Sequence, residues 1–542
     1  MPLASATVNA IWGAASSPAW LGFRRGLHTP AIVQERVLLA CLRRNAGTTF
    51  GRAHRFDRIQ SIADYQQQVP PASYDDLAAL VHRAARGESH VLTKSAIERL
   101  VPSSGSTSAA KFIPFTAELR SELTAAIDAW LVDLFRHDSS LMGGPSYWSI
   151  SPAATNQPSI PGSVVPIGFD SDSRYLGGAR QALARCILAV PDVVARISDV
   201  KAFQYVTALF LLHARNLRLV SVWHPSFFDR LLDSVAVNHD RLTYDIERGT
   251  LSVSPPLAPE IAGAVTSFLR PNRKRAEELR KAGAHPRQLW PRLSLISCWA
   301  DGPSTAAASH LANRCGGITV QRKGLLATEG VVTIPFEGCH PVAICSHFYE
   351  FVGADGQIRL AHQLERNLEY SVLLTTGGGL YRYRLGDRVR VDEIVYNTPS
   401  LRFVGRDDRV SDVCGEKLSD GFVSGVLEQL FAGRPPRFAL LAPHRTPGGL
   451  GYALFVSPDT SNPPDLAVRL ELALRNNPHY AWCVDLGQLA PARIIRVGVG
   501  ANRAFVDACV ARGQRLGDVK PTSLSSASDW SERLPAVAEM TC

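Results

Sequence analysis

Between residues 116 and 300, short apolar runs alternate with longer stretches of helical periodicity, and this alternation constrains the fold more than any other feature. Thr116 stands where a helix N-cap belongs, and Leu119, Leu123, Ile127, Leu131 and Leu134 recur behind it at helical spacing. Residues 163–168, 217–223 and 293–299 read as strands bounded by turn residues, and helical patterns fill 173–190 and 256–270 between them. Strands separated by helices bury both faces of a sheet, so the expected fold class is α/β. From Val331 strands dominate, at 331–335, 342–349, 371–376 and 388–391, with a break at Asn397-Thr398-Pro399. Further on, strands at 438–441, 452–456 and 493–497 alternate with helical patterns such as 420–430. Residues 466–474 alternate like a strand, but their Arg, Glu and Ala content favours a helix. The expected organisation is a large N-terminal α/β domain over 1–402 with a β-rich part, a hinge at 403–409, and a small α+β domain over 410–542.

Composition removes several function classes. Hydrophobic residues make up 46% and charged residues 20%, the balance of a chain with a substantial core. The longest apolar candidate, 205–223, is interrupted by His213, Arg215 and Arg218, so no membrane span is expected. The N-terminus has no basic segment leading into a long apolar stretch, and no secretory signal is expected. Ten cysteines occur without CxxC pairs, which reads as reduced thiols in a cytoplasmic protein with no zinc site. The net charge of +9 is spread along the chain, and the densest cluster, 270–280, also carries Glu277 and Glu278. No nucleic-acid partner is expected. Only eight of the 58 basic residues are lysine, so the positions of lysines are informative.

Four local patterns carry chemistry. In "VPSSGSTSAAKFIP" (101–114), small hydroxyl residues surround a glycine, a lysine follows, and an apolar run resumes. Such a loop is either a phosphate cradle, with backbone N–H groups, hydroxyls and an ammonium facing an anion, or a plain Ser-rich turn. Phe112 follows the lysine where a Walker-type loop needs Ser or Thr, so that class is disfavoured. Thr328-Glu329 lies in a Gly-bounded turn and offers a donor to phosphate and an oxygen to Mg²⁺; the plain reading is a polar turn between strands. Gly377–Gly379 precede "LYRYRLGD", which delivers Asp387 at a Gly-Asp turn, and one carboxylate can accept from both hydroxyls of a ribose. Tyr381 and Tyr383 read as packing residues. Gly405-Arg406-Asp407-Asp408 and Gly415-Glu416-Lys417 follow at the expected hinge.

In this order the patterns resemble the adenylate-forming superfamily of acyl-CoA synthetases, luciferases and nonribosomal adenylation domains. Within it, "VPSSGSTSAAKFIPFT" and "LLTTGGGLYRYRLGD" are most similar to the auxin-responsive (Gretchen Hagen) family of acyl-acid amido synthetases, with "VSVWHPSFF" and "NNPHYAWCVDLGQLAPARIIRV" in support. The resemblance runs from about residue 30 to 525. It implies a ligase that uses ATP and Mg²⁺ to activate a carboxylic acid as an acyl-adenylate and transfers it to an amino acid or other amine. It implies that Ser103, Ser104, Gly105, Ser106, Thr107 and Lys111 hold the ATP phosphates, that Thr328 meets the α-phosphate, and that Glu329 holds the metal. It further implies Asp387 on the ribose, Arg406 on the nucleotide, a pivot at Asp408, and Lys417 and Lys520 approaching the reacting phosphate. Trp223 and His224 are candidates for the acyl pocket, a core Trp and a capping His being the alternative. Arg382, Arg384 and Arg406 are candidates to meet an amino acid's carboxylate. A monomer is expected. The rival readings are a ligase using coenzyme A or a carrier thiol, and a nucleotide-binding protein without turnover.

Overall fold

The computed structural model describes residues 2–103, 111–149, 159–169, 177–283, 285–407, 410–414, 416–431, 435–446, 449–458, 465–512, 514 and 519–535. The chain divides into two compact units: Met1–Trp299 with Leu311–Leu385 and Val391–Arg402, and a smaller one of Ala300–His310, Gly386–Arg390 and Phe403–Cys542.

In the larger unit, β1 (Arg99–Ser103) and β2 (Lys111–Phe115) form an antiparallel pair. Strands β3 (Ser146–Trp148), β4 (Leu219–Ser221), β5 (Leu295–Cys298) and β6 (Thr319–Arg322) form a parallel sheet in sequential order. Parallel neighbours need long crossovers, and the Gly178–Ile187, Val200–His213 and Pro225–Arg248 helices supply them. All residues of β4 and β5 are buried, as expected for strands covered on both faces. The Ala117–His137 helix begins as its sequence predicts, Thr116 Oγ1 accepting a hydrogen bond from Leu119 N at 3.2 Å. Its Leu131 packs with Trp12, Ala184 and Ile187.

The β-rich part is a five-stranded sheet of β7 (Phe348–Gly353), β8 (Ile358–Leu360), β9 (Glu369–Thr375), β10 (Tyr383–Val395) and β11 (Thr398–Arg406), ordered β11-β10-β9-β7-β8. The turn between β10 and β11 is Tyr396-Asn397, with Tyr396 at φ 55°; Thr398 and Pro399, where a break was expected, already belong to β11. Three expected strands, 163–168, 331–335 and 342–349, are not continuous. Residues 163–168 make one bridge, Ile167 to Leu100, and 331–346 make isolated bridges only. Pro166 inside the first of these and Pro335 at the end of the second offer no N–H to a partner.

In the smaller unit, β12 (Val410–Ser411) pairs with β13 (Leu418–Ser419). Strands β14 (Ala439–Thr446), β15 (Gly449–Val456) and β16 (Ala490–Arg496) form a mixed sheet. Alternate residues face opposite ways: Leu441, Tyr452, Leu454 and Val456 join one core, and Leu440, Ala442, Ala453 and Phe455 the other. Helices pack against both of these cores. Residues 466–474 are a helix: Leu466, Leu470 and Leu474 are buried, whereas Val468 and Leu472 are exposed. No helix of the described residues is long and apolar enough to cross a membrane.

Candidate active site

The larger unit gathers one group of candidate residues. Ser103 and Lys111 are the last register pair of β1 and β2, so their side chains share a face at the mouth of the hairpin. Ser104, Gly105, Ser106 and Thr107 lie outside the described residues. Ala327 and Gly330 exchange backbone hydrogen bonds of 2.9 and 3.2 Å, which leaves Thr328 and Glu329 as the two residues of a tight turn. Ser103 Oγ donates to Glu329 Oε1 at 3.0 Å, although 226 positions separate them. Glu329 is buried, Thr328 and Lys111 are half-buried, and Lys111 makes no ion pair among the described residues. A hydroxyl and a carboxylate therefore meet beside the strand end that carries Lys111. No group of three or more His, Cys, Asp or Glu side chains that could hold a metal occurs among the described residues. One carboxylate oxygen suits Mg²⁺, which takes one or two carboxylates and completes its shell with water and substrate phosphate.

The smaller unit holds a second group. Asp387 does not sit in a turn. Gly386 adopts φ 79° within β10, a conformation open to glycine, and the strand continues through Asp387. The Asp387 carboxylate is 1% exposed. Arg406 Nη1 stands 3.1 Å from Oδ1, yet neither carboxylate oxygen accepts a well-directed hydrogen bond among the described residues. A buried acceptor left in this state is costly, and two such oxygens side by side fit the two hydroxyls of a vicinal diol. Asp407 N donates to Gly386 O at 2.7 Å, which ties the two segments together. Asp408 lies outside the described residues.

Lys417 is exposed and takes φ 45°, a strained value for lysine, next to a firmly held Glu416. The buried Glu416 carboxylate accepts from Val413 N and Cys414 N at 2.8 Å each, and from Tyr452 Oη. Three residues after Lys417, buried Asp420 accepts from Thr522 Oγ1, Ser523 N and Leu524 N at 2.6 to 2.9 Å. The segments that carry Lys417 and Lys520 are thereby fastened to each other.

A third group lies beyond the carboxyl ends of the parallel strands, where open α/β sheets bind ligands. The half-buried Trp223 ring lies 5.4 Å from that of Trp299, and Lys323 Nζ sits 4.8 Å over it while donating to Ser221 Oγ at 2.7 Å. His224 caps the Pro225–Arg248 helix, its Nδ1 accepting from Ser226 N at 3.3 Å. Burial, then the nearby Arg230, pushes the His224 imidazole down to about 3, so it stays neutral. Sequence reasoning missed Lys323 and Trp299. The scarcity of lysine was the available signal for the first, and the end of an expected strand for the second.

Arg382 cannot meet a substrate carboxylate. It is buried and paired with Glu350 through two bonds of 2.8 and 2.9 Å, and it also donates to the carbonyls of Gln66 and Val69. Tyr381 is a packing residue, stacked on Phe50 with its hydroxyl on Leu92 O.

Residues 22–320 match the GH3 family N-terminal domain, and residues 341–406 match the GH3 family central domain. The chain belongs to the GH3 family. Among curated relatives of this GH3 chain, the indole-3-acetic acid-amido synthetase GH3.8 of Oryza sativa subsp. indica is 23% identical over 536 residues, spanning 90% of this chain and 87% of the relative. A solved GH3 structure, the AtGH3.15 acyl acid amido synthetase in complex with 2,4-DB, superposes with a TM-score of 0.81 at 19% identity, covering 95% of this chain and 96% of that one. A 2-hydroxyisobutyryl-CoA ligase in the postadenylation state shares the fold more distantly, with a TM-score of 0.52 at 12% identity over 92% and 91% of the two chains. The GH3 chain thus has the α/β fold of adenylate-forming enzymes.

Proposed function

We propose that this GH3 chain is an ATP-dependent acyl-acid amido synthetase that forms an acyl-adenylate and transfers the acyl group to an amino acid or other amine. The observation that carries the reading is the meeting of Ser103, across from Lys111, with the Thr328-Glu329 turn at 3.0 Å. In the first half-reaction a carboxylate oxygen of the acid bonds to the α-phosphorus and the bond to pyrophosphate breaks. In the second, an amine nitrogen bonds to the acyl carbon, the bond to the AMP oxygen breaks, and the amine loses a proton to solvent. Lys111 and the loop 103–107 hold phosphate oxygens as charge shifts onto them, and Thr328 donates to the α-phosphate. Glu329 would hold Mg²⁺, which neutralises charge on the departing pyrophosphate when bound. Asp387 accepts from the ribose, Arg406 holds the nucleotide, and Lys417 and Lys520 supply cations to the reacting phosphate. Trp223, with Trp299, offers an aromatic wall to the acyl group, and His224 serves that region as a helix cap. The partners are small molecules, and the protein works as a cytoplasmic monomer.

The test is exchange of labelled pyrophosphate into ATP across a panel of carboxylic acids. Acid-dependent exchange with at least one acid is expected. Exchange with none of them, from protein that binds ATP, would move the chain to the class without turnover.

A further inference from the structure

A buried hydrogen-bonded pair links the Thr328-Glu329 turn to the Ala117–His137 helix and the glycine loop at 377–379, all within the larger unit. His347 has a fully buried side chain, and its Nδ1 donates to Glu122 Oε2 at 2.8 Å. Its Nε2 accepts from Val331 N at 3.1 Å, which fixes the proton on Nδ1. The Glu122 carboxylate also accepts from Gly377 N at 2.9 and 3.0 Å, and Thr116 Oγ1 donates to Gly377 O at 2.9 Å. Val331 directly follows Gly330, the closing residue of the turn. A Cβ at Gly330 would lie 2.8 Å from His347 Nε2, so glycine is what lets the turn rest on the ring.

We propose that Glu122 and His347 are positioning residues for Glu329, setting the turn so that its carboxylate points at the metal held with ATP; this rests on reading Glu329 as the metal-holding residue. The Ala327–Gly330 pair and the bond from Val332 N to Leu325 O close the hairpin behind the turn, so the aim of its two tip residues depends on what holds them and the segment that leaves it. Ser103 holds Glu329 itself, and Val331, which leaves the turn, donates its N–H to His347 Nε2 and accepts at its carbonyl from Tyr349 Oη at 2.6 Å. Glu122 fixes the tautomer that makes His347 an acceptor toward Val331, as outer partners do for ligands of a metal.

Two isosteric variants separate this role from packing. His347→Gln places an amide oxygen where Nε2 was and still accepts from Val331 N. His347→Asn places an amide NH₂ where Nδ1 was, keeps Glu122 and abandons Val331. The measurement is Mn²⁺ binding by electron paramagnetic resonance with a non-hydrolysable ATP analogue, together with the Mg²⁺ dependence of pyrophosphate release. His347→Asn should weaken Mn²⁺ binding about tenfold, the size of an outer-shell effect, while His347→Gln stays within about twofold. Glu329→Gln serves as the reference and should lose the metal. Wild-type Mn²⁺ affinity in Glu329→Gln would overturn the assignment of Glu329. A Glu329-dependent site on which the Asn and Gln variants behave alike would overturn the positioning role alone. Should the Asn variant fail to fold, Glu122→Gln is the milder probe. It removes the charge that orients the ring and should weaken Mn²⁺ binding about threefold, and unchanged binding there would also overturn the positioning role.

Discussion

Asp387→Asn keeps the shape of a buried side chain and removes its charge. Neither carboxylate oxygen accepts a hydrogen bond from the described residues, so the protein on its own loses little by the change. With nucleotide bound, two ribose hydroxyls would donate to an ionised acceptor. A hydrogen bond to a charged group contributes about 1.5–3 kcal/mol. Asn retains one carbonyl acceptor of neutral strength, so the net loss is about one such bond, which raises the KM for ATP roughly 10- to 150-fold. The assay titrates ATP in acid-dependent pyrophosphate release and pairs it with a melting curve recorded without nucleotide. The variant should melt at or above the wild-type temperature. The opposite pattern would refute the reasoning. If Asp387 existed to neutralise Arg406, 3.1 Å away and also largely buried, then breaking that pair would cost about 3–5 kcal/mol. The melting temperature would then fall while KM stayed unchanged.

Lys111→Ala should lower acid-dependent pyrophosphate release by about 100-fold without shifting the melting temperature, and an unchanged rate would remove the hairpin mouth from the chemistry. Gly405→Ala would place a Cβ 2.6 Å from Gly421 Cα, a backbone atom that cannot swing away; chemical denaturation should show a loss of about 1–3 kcal/mol, and wild-type stability would contradict the packing. His224 resists protonation to about 3, against about 6.5 when unfolded, so its contribution to stability is complete above that value and declines as pH falls. By pH 5 the decline is about 2 kcal/mol. His224→Asn keeps a capping acceptor and should flatten that part of the stability curve, whereas an unaltered pH dependence would show that the ring titrates normally.

What the sequence made legible was local. The capped helix at 117–137 follows from one threonine and five apolar positions. At 466–474, period-two and period-four spacing both fitted the apolar positions; burial of Leu466, Leu470 and Leu474 with Val468 and Leu472 exposed is the helical outcome. Strands were overcalled at 163–168 and 331–335, where apolar content was weighed above the missing N–H of Pro166 and Pro335. The Gly386-Asp387 step was taken for a turn because Gly-Asp is a turn pair, but a left-handed glycine can also bend a continuing strand. Residue types at the candidate site were visible as motifs, whereas their partners were not. Ser103 and Glu329 lie 226 positions apart, and Glu122 and His347 lie 225 apart. Nothing in a single chain links such positions. Arg382 shows the converse: a motif arginine in plain view proved to be committed to Glu350, a partner that no spacing indicates.

The most direct test of the whole account begins with the acyl-adenylate, formed on the enzyme from labelled acid and Mg·ATP and freed of excess nucleotide. An amino-acid mixture is added to one portion and coenzyme A to another, and products are identified by mass. Amide formation with stoichiometric AMP release, and no acceleration by coenzyme A, is the predicted result. A coenzyme A thioester with no amide from any amino acid would contradict the account and place this GH3 chain with the thioester-forming ligases.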